Sequence, residues 1–362
     1  MIKKILKHTR NLLLVTLGVG SLYLINLFFM KPFSIDHFLA KELILDLTSS
    51  PEELTYVGVF DDYNWLTNHN SKLSIPKETD IEDGIKHAEK TIKTLYKYDD
   101  SRLSDAQKST KKIAIFDYEN HLRELRDFPY LDYPLNQIGG IHLNTIEFMN
   151  DVHPIRKKSE ANDFIKRTDL IKEVYQGVLA DLEKQAKSGI YPPEFVYGHV
   201  IKQLDEFIEY SNEEHPLYTQ FMSKINQLDL DQEDVNYFEN EIKRSISESV
   251  TPGFKVLRDF MIRTQKYANK NHGIWSQPGG DEYYKLKIRT FTTTDYSPEK
   301  IHQMGLSEVK RISERMRYIL SSLGYDESKS VGEIMNELNE NPDFLYADTP
   351  CLLYTSDAAD ES

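Results

Sequence analysis

Cysteine, glycine and proline are all scarce in this sequence. The 362 residues contain a single cysteine, Cys351, so the chain cannot form an internal disulfide, and disulfide scaffolds and cysteine-rich metal sites are excluded. The 16 glycines and 14 prolines argue against a collagen-like chain and against a turn-rich all-β protein. Hydrophobic residues still make up 40% of the sequence, which excludes wholesale disorder and is enough to bury a sizeable core.

The sequence also lacks an excess of positive charge. It has 44 lysines and arginines against 58 acidic residues, a net charge of −14. The first 31 residues contain basic residues and no acid, so the remainder is more acidic still. Because binding to a phosphate backbone needs a basic face, we expect no nucleic-acid partner.

An uncharged apolar run, Leu12–Met30, follows basic residues at the N-terminus. A helix of this length is roughly 28 Å long, close to the thickness of a bilayer core. No small-x-small cleavage site ends the run, and no cysteine close behind it could carry a lipid. We predict a single-pass inner-membrane signal-anchor, with residues 1–11 cytoplasmic, 12–30 transmembrane and the body periplasmic or outside the cell. The alternatives are a cleaved signal peptide and a buried core helix.

The last residues, 351–362, do not continue the pattern that precedes them. They read CLLYTSDAADES, which resembles the translation of a sequencing adapter and has no helical or strand period. We interpret them as an artefactual tail, so that the natural protein would continue beyond Pro350 and the helical domain at 31–350 would be incomplete. A genuine frayed tail is the alternative.

Helical periodicity dominates the middle of the chain and predicts one mostly α-helical body. A long helix is expected at about 160–187, because apolar residues there fall on one stripe, and Gly189 is expected to end it. Capping residues and prolines mark the other expected helix starts. These starts lie at Ser104, Pro192, Asp231, Thr251, Ser297 and Ser330. The best strand candidate is 289–294 (RTFTTT), where β-branched residues adjoin an aromatic residue.

No short catalytic motif is present. The 11 histidines include no His-Glu-x-x-His pair, which would place two imidazoles one helical turn apart. The sequence also has no Gly-x-Ser-x-Gly elbow, phosphate loop or dinucleotide-binding fingerprint. We therefore assign no catalytic residue and no metal ligand in this chain.

One segment, residues 275–294, is unusual enough to predict a site. Its Pro-Gly-Gly turn lets the backbone approach a ligand closely. Asp281, Tyr284 and Arg289 follow the turn and could orient a peptide through hydrogen bonds, so we predict that they bind substrate. The alternative is a helix capped by Asp281, with its tyrosines packed in the core.

The same segment resembles part of a known family. The resemblance covers roughly Ile35 to Pro350, and its motifs are specific only when they are taken together. The matching stretches are Tyr133–Gln137, Ile190–Val196, Pro278–Tyr284, Thr292–Thr294 and Ser297–Val309. They look like the signature of a bacterial family known as domain of unknown function 885.

This resemblance implies the N-terminal part of a helical fold similar to that of zinc metallopeptidases. In such enzymes, two histidines of a His-Glu-x-x-His helix and a later glutamate hold zinc. The family places that helix after the Ile-His-x-x-Gly-Leu segment, and this chain stops before it. We therefore expect zinc and peptide hydrolysis in a full-length parent, and no bound cofactor and no catalysis in this chain. The alternative function is a non-catalytic ectodomain that binds peptides or envelope components.

Overall fold

The computed structural model describes residues 2–345. This part of the chain is 75% helical and contains no β-strand. A single bridge between Pro193 and Asn269 is its one isolated β-type pairing. The prediction of a mostly α-helical protein is confirmed. The proposed artefactual tail, 351–362, lies outside the described residues.

The chain divides into two compact units, Met1–Thr290 and Phe291–Ser362. Several helices of the first unit begin at a residue whose side chain caps the helix, and some helices are only one or two turns long. The helices of this unit are α1 (Ile2–Phe29), α2 (Ile35–Ser49), α3 (Pro51–Val57), α4 (Asn64–Thr67), α5 (Asp80–Leu95), α6 (Asp105–Asp127), α7 (Ile141–Glu147), α8 (Lys158–Asp169), α9 (Ile171–Lys187), α10 (Glu194–Glu209), α11 (Pro216–Ile225), α12 (Gln232–Ser245), α13 (Thr251–Thr264) and α14 (Gly280–Thr292), whose last two residues belong to the second unit.

Helices α8 to α13 enclose the main hydrophobic core. The stripe predicted from the sequence of α9 is buried there, as are Phe254, Leu257 and Met261 of α13. Phe207 of α10 stacks on Phe254 with ring centroids 4.8 Å apart. Buried aromatic residues of this size contribute most to the stability of such a core.

The long helix expected at 160–187 is in fact two helices that meet at Leu170. The side chain of Ser249 makes this break possible. Its hydroxyl donates to the Asp169 carbonyl over 2.9 Å and accepts from the Lys172 amide over 3.1 Å. One residue from a distant helix therefore satisfies backbone groups that the interruption leaves without intrahelical partners.

The strand predicted at 289–294 is wrong. Residues up to Thr292 belong to α14, and Thr293 has a positive φ of 54°. Tyr283 and Leu286 are buried one helical turn apart, and burial of that helical face outweighs the β-propensity of the threonines that follow.

Helix α1 lies almost entirely outside the core. Its segment His8–Phe29 has a mean hydropathy of 2.1 and is long and apolar enough to cross a membrane. Among its described side chains, Asn26 is the buried one; its amide donates to the Lys31 carbonyl and its oxygen accepts from the Phe33 amide. The alternative that this segment is a buried core helix is therefore wrong.

The second unit contains two described α-helices, α15 (Pro298–Ser322) and α16 (Val331–Glu340). Ser297 caps α15, and a capping box of Ser330 and Glu333 opens α16. Gly324, with a φ of 86°, lies two residues after the end of α15. The caps confirm the helix starts predicted from the sequence at Ser297 and Ser330.

Candidate functional site

The three predicted substrate-binding residues lie on α14, in the first unit, and do not converge. Asp281 and Tyr284 are on its exposed side, where Tyr284 keeps 49% of its surface accessible. Arg289 packs against α6: its Nε donates to Asn120 Oδ1 over 3.2 Å, and its guanidinium lies over the Phe116 ring. Five residues of helix separate Tyr284 from Arg289, which places them roughly 140° apart around the axis.

The structure also corrects the alternative for this segment, a helix capped by Asp281 with its tyrosines packed in the core. Tyr283, not Tyr284, is the tyrosine that packs in the core, and its hydroxyl donates to Glu124 Oε1 over 3.3 Å. Asp281 lies inside the first turn of α14 rather than before it. The role of Asp281, Tyr284 and Arg289 in binding substrate stays a prediction.

The double glycine has an internal structural explanation. Gly279 adopts a φ of 75°, which side chains other than glycine rarely tolerate. A Cβ at Gly280 would lie 1.8 Å from the carbonyl oxygen of Ile274. Both glycines are therefore required by the packing of the turn against its own loop, without any ligand.

A concave site that the sequence did not indicate lies elsewhere in the first unit. It is a cavity of about 500 Å³ between α3, α7 and α9, a size suitable for a small ligand. Its lining combines apolar and polar side chains. The lining residues are Ser50, Glu52, Tyr56, Leu73, Ser74, Ile141, Asn144, Thr145, Glu147, Phe148 and Val174.

Two carboxylates give the cavity an acidic wall. Glu52 is held in place by Ser74, whose amide and hydroxyl donate to its two oxygens over 2.7 and 2.6 Å. Glu147 is exposed at the end of α7. The ring of Tyr56 lies 6.0 Å from that of Phe148. Carboxylates beside aromatic rings suit a cationic ligand, through charge and through cation–π contact.

A buried arginine lies beneath this cavity. The guanidinium of Arg167 is 4.8 Å from the ring of Phe148, which lines the cavity. Arg167 is fully buried and donates to Thr55, His153 and the carbonyls of His69 and Lys72. Burial lowers its pKa to about 10, so the side chain remains charged at neutral pH.

His153 is held neutral by the same cluster. Its Nδ1 accepts from Arg167 over 2.8 Å, so Nε2 carries the proton and faces the Glu160 carbonyl at 3.2 Å. Burial, aided by the charge of Arg167, lowers the pKa of His153 to about 3. This imidazole therefore acts as a hydrogen-bond acceptor that positions Arg167.

A π-helical turn, Phe148–Val152, connects the cavity to this cluster. Phe148 at its start lines the cavity, and His153 follows its last residue. Such turns are rare and often occur at functional sites. One feature of the sequence could have pointed to this region: Arg167 is a cation between the apolar residues Phe164 and Ile171. Charged residues are seldom buried without partners, so an arginine on a buried helix face implies acceptors around it.

The histidines most open to a metal role do not form a centre. His142 is bonded to Gln203, His153 to Arg167, and His302 is exposed on α15 in the second unit. Within the part of the chain that the structure describes, no group of three or more histidine, cysteine, aspartate or glutamate side chains could hold a metal ion. These residues do not fit a zinc site, and the expectation of zinc in a full-length parent stays a prediction.

Most of this chain matches a known protein family. Residues 51–359 match the family described as bacterial protein of unknown function (DUF885). The chain belongs to this family. The match begins later than the resemblance noted from the motifs, which started near Ile35, and it ends inside the proposed tail at 351–362.

Solved structures of two bacterial proteins share the fold. A candidate lipoprotein from Colwellia psychrerythraea matches with a TM-score of 0.72 and 24% identity, over 84% of this chain and 54% of its own. A candidate lipoprotein of unknown function from Shewanella oneidensis matches with a TM-score of 0.50 and 11% identity, over 74% of this chain and 47% of its own. The chain thus spans about half the length of either protein. A search of curated proteins found no match.

Proposed function

We propose that this chain is the anchored helical half of an envelope peptidase of the zinc-dependent kind, and that it contributes substrate contacts rather than metal ligands. The zinc-peptidase part of this proposal rests on the family resemblance of the motifs at Pro278–Tyr284 and Ser297–Val309. The match to the Colwellia protein, which pairs 84% of this chain with 54% of that one, concerns the fold. The remaining part of the family fold is where the proposal places the metal-binding residues.

The envelope location rests on α1. Its segment His8–Phe29 is apolar and follows basic residues, which favours a cytoplasmic N-terminus. A C-terminal periplasmic reporter followed by carbonate extraction tests this arrangement. Retention of an active reporter in the membrane pellet supports it, whereas a shortened soluble product would mean that the segment is cleaved.

The substrate contacts are assigned to α14. Asp281 and Tyr284 are exposed there, so their polar atoms are accessible to a peptide in the described part of the chain. Arg289 packs on α6, away from Tyr284, and in this proposal it positions α14 at the border of the groove. Exposed tyrosine and aspartate can bind the backbone and the charged ends of a peptide.

A chimera tests this function. Residues 35–345 replace the corresponding part of the Colwellia protein, and peptide hydrolysis is measured with added zinc. We expect the chimera to hydrolyse peptides and the full chain alone not to do so. Failure of both the chimera and the intact Colwellia protein to hydrolyse any peptide would overturn the peptidase proposal.

A matched pair of variants tests the groove. Tyr284→Phe removes one hydroxyl, and Tyr237→Phe removes the hydroxyl of a tyrosine on α12 that is equally exposed. We expect kcat/KM of the chimera to fall at least fivefold for Tyr284→Phe only. Equal kcat/KM in both variants would remove Tyr284 from the groove.

The cavity between α3, α7 and α9 favours a second function, the non-catalytic binding of a cationic peptide. Its acidic wall of Glu52 and Glu147 beside Tyr56 is the specific observation. Titration of the full chain in nanodiscs with a lysine-containing peptide tests it. Glu147→Gln should weaken binding about tenfold, and Glu82→Gln on α5, outside the cavity, should not; equal affinities would exclude this function.

A further inference from the structure

We propose that α2 is an interfacial helix, whose outward apolar face lies in the headgroup region of the membrane that α1 crosses. This α2 apolar face consists of Ala40, Leu43, Ile44 and Leu47. The inference rests on the proposed anchoring by α1. It adds a second contact with lipid, which fixes how the body of the protein faces the membrane.

Helix α2 has two apolar sides, and the core covers one of them. Ile35 and Phe38 are buried in a cluster with residues of α5 and α6. The α2 apolar face lies on the opposite side, because its members repeat at three and four residues out of phase with the buried ones. Leu43 and Ile44 keep 59% and 58% of their surface exposed. Single exposed leucines are ordinary, but a row of apolar side chains along one side of a helix indicates an interaction surface.

The connection between α1 and α2 is short and is bonded to the body. The side-chain amide of Asn26 donates to the Lys31 carbonyl, and its oxygen accepts from the Phe33 amide, each over 3.0 Å. The hydroxyl of the buried Tyr98 donates to the Pro32 carbonyl over 2.8 Å. These bonds fix the end of α1 against the start of α2, so the body stays close to the membrane from which α1 emerges.

The α2 apolar face is continuous with the apolar surface of α1. Ala40 and Ile44 line a hollow of about 140 Å³ together with Tyr23, Leu27 and Phe28 of α1. These three α1 residues belong to the segment that is long and apolar enough to cross a membrane. A bilayer that surrounds α1 up to its end therefore reaches the α2 apolar face at the same depth.

The charged groups beside this junction are bonded to the protein. Lys31, which follows the uncharged run, donates through Nζ to the Lys97 carbonyl over 3.2 Å. Asp36, one turn before the α2 apolar face, accepts from Gln107 of α6 over 2.7 Å. Phe33, in contrast, is exposed between them, and aromatic rings are favoured where a membrane span meets water. An uncharged helix face that extends an apolar span suits the boundary of a bilayer.

Quenching by spin-labelled lipids tests the α2 apolar face. In a Cys351→Ser background, the full chain carries one cysteine with an NBD label, in nanodiscs whose lipids hold a nitroxide either near the headgroup or deep in the acyl chain. Leu43→Cys reports on the α2 apolar face and Leu17→Cys on the middle of α1, and the control Tyr237→Cys is on α12. We expect the shallow nitroxide to quench Leu43→Cys at least about fivefold more than Tyr237→Cys. The deep nitroxide should quench Leu17→Cys the most.

The label in α1 separates this inference from the anchor on which it rests. Quenching of Leu17→Cys without quenching of Leu43→Cys would leave the anchor in place and overturn the interfacial helix. A lack of quenching at both positions would overturn both, and quenching of Leu43→Cys alone would support the lipid contact and overturn the anchor. Stronger quenching of Leu43→Cys by the deep nitroxide than by the shallow one would contradict the proposal, because α2 would then lie inside the hydrocarbon.

Coverage of the α2 apolar face by protein gives a different result. An NBD spectrum of Leu43→Cys that is blue-shifted relative to Tyr237→Cys without quenching by either nitroxide would mean that another protein covers the face. A Leu43→Cys disulfide dimer would mean that a second copy of this chain does so, and either result contradicts the proposal. If Leu43→Cys does not fold, Ile44→Cys decides the same question, because its side chain is equally exposed on the same face.

Discussion

Helices α13 and α15 carry similar apolar stripes, but the stripe of α13 is buried and that of α15 is exposed. Phe254, Leu257 and Met261 of α13 are completely buried between α9 and α10, whereas Val309 and Ile312 of α15 are exposed. Both stripes follow the spacing that makes a helix amphipathic. An apolar stripe therefore shows that a helix has a surface suited to packing, but it does not specify which element packs against that surface.

The largest expected effect separates the buried arginine from an exposed one. Arg167→Met removes the donor that four acceptors share, three of them on buried residues, and unsatisfied buried polar groups cost about 1–3 kcal/mol each. We expect the free energy of unfolding to fall by about 5 kcal/mol. Urea unfolding of the full chain in detergent, followed by circular dichroism, measures it.

The matched control for that variant is Arg315→Met on α15. Its side chain is exposed, so its replacement should change the free energy of unfolding by less than about 0.5 kcal/mol. A similar small effect of Arg167→Met would show that the cluster beneath the cavity adds nothing to stability.

A pair of alanine substitutions addresses the two stripes directly. Phe254→Ala opens a cavity in the core and should lower the free energy of unfolding by about 4 kcal/mol. Ile312→Ala removes a side chain that is already half exposed and should change it by less than about 0.5 kcal/mol. The same urea titration compares them, and a loss above about 2 kcal/mol for Ile312→Ala would mean that the second unit already covers this side chain.

A smaller effect is expected from pH. The pKa of His153 is lowered from 6.5 to about 3 in the folded protein, so its contribution to stability is present above the unfolded pKa of 6.5 and is lost as the pH falls toward 3. Between pH 7 and pH 5 the loss is about 2 kcal/mol. The lowered pKa values of His69, His142 and His215 act in the same direction.

The variant His153→Gln isolates this effect. Glutamine keeps a hydrogen-bond acceptor for Arg167 and removes the titrating group, so urea unfolding at pH 7 and pH 5 should show a smaller difference than in the parent chain. His302→Gln, at an exposed position, is the control and should leave the difference unchanged. An unchanged difference in His153→Gln would assign the pH dependence to other groups.

Much of the fold could be predicted because helix boundaries are local. Ser104, Asp231, Ser297 and Ser330 cap the helices that their spacing predicted. The break at Leu170 could not be predicted, because it depends on Ser249, about 80 residues away in the sequence. Residues 289–292 are helical because side chains earlier in α14 are buried, and the local sequence does not show that burial.

The candidate sites were harder to predict for the same reason. The Pro-Gly-Gly turn indicated a ligand, yet Gly280 is needed where the Ile274 carbonyl approaches. The cavity and the Arg167 cluster are assembled from residues between Ser50 and Val174 that share no motif. Arg167 is the one hint in the sequence, and the arrangement in three dimensions reveals the rest.

Amide hydrogen exchange of the full chain in nanodiscs tests the central claim most directly, because it reports on α13 and α15 in one sample. A helix that is buried on its apolar face opens only with the whole unit, whereas a helix without a partner on that face opens locally. We predict that the amides of α15 exchange at least about 100-fold faster than those of α13. Equal protection of the two helices would contradict the account.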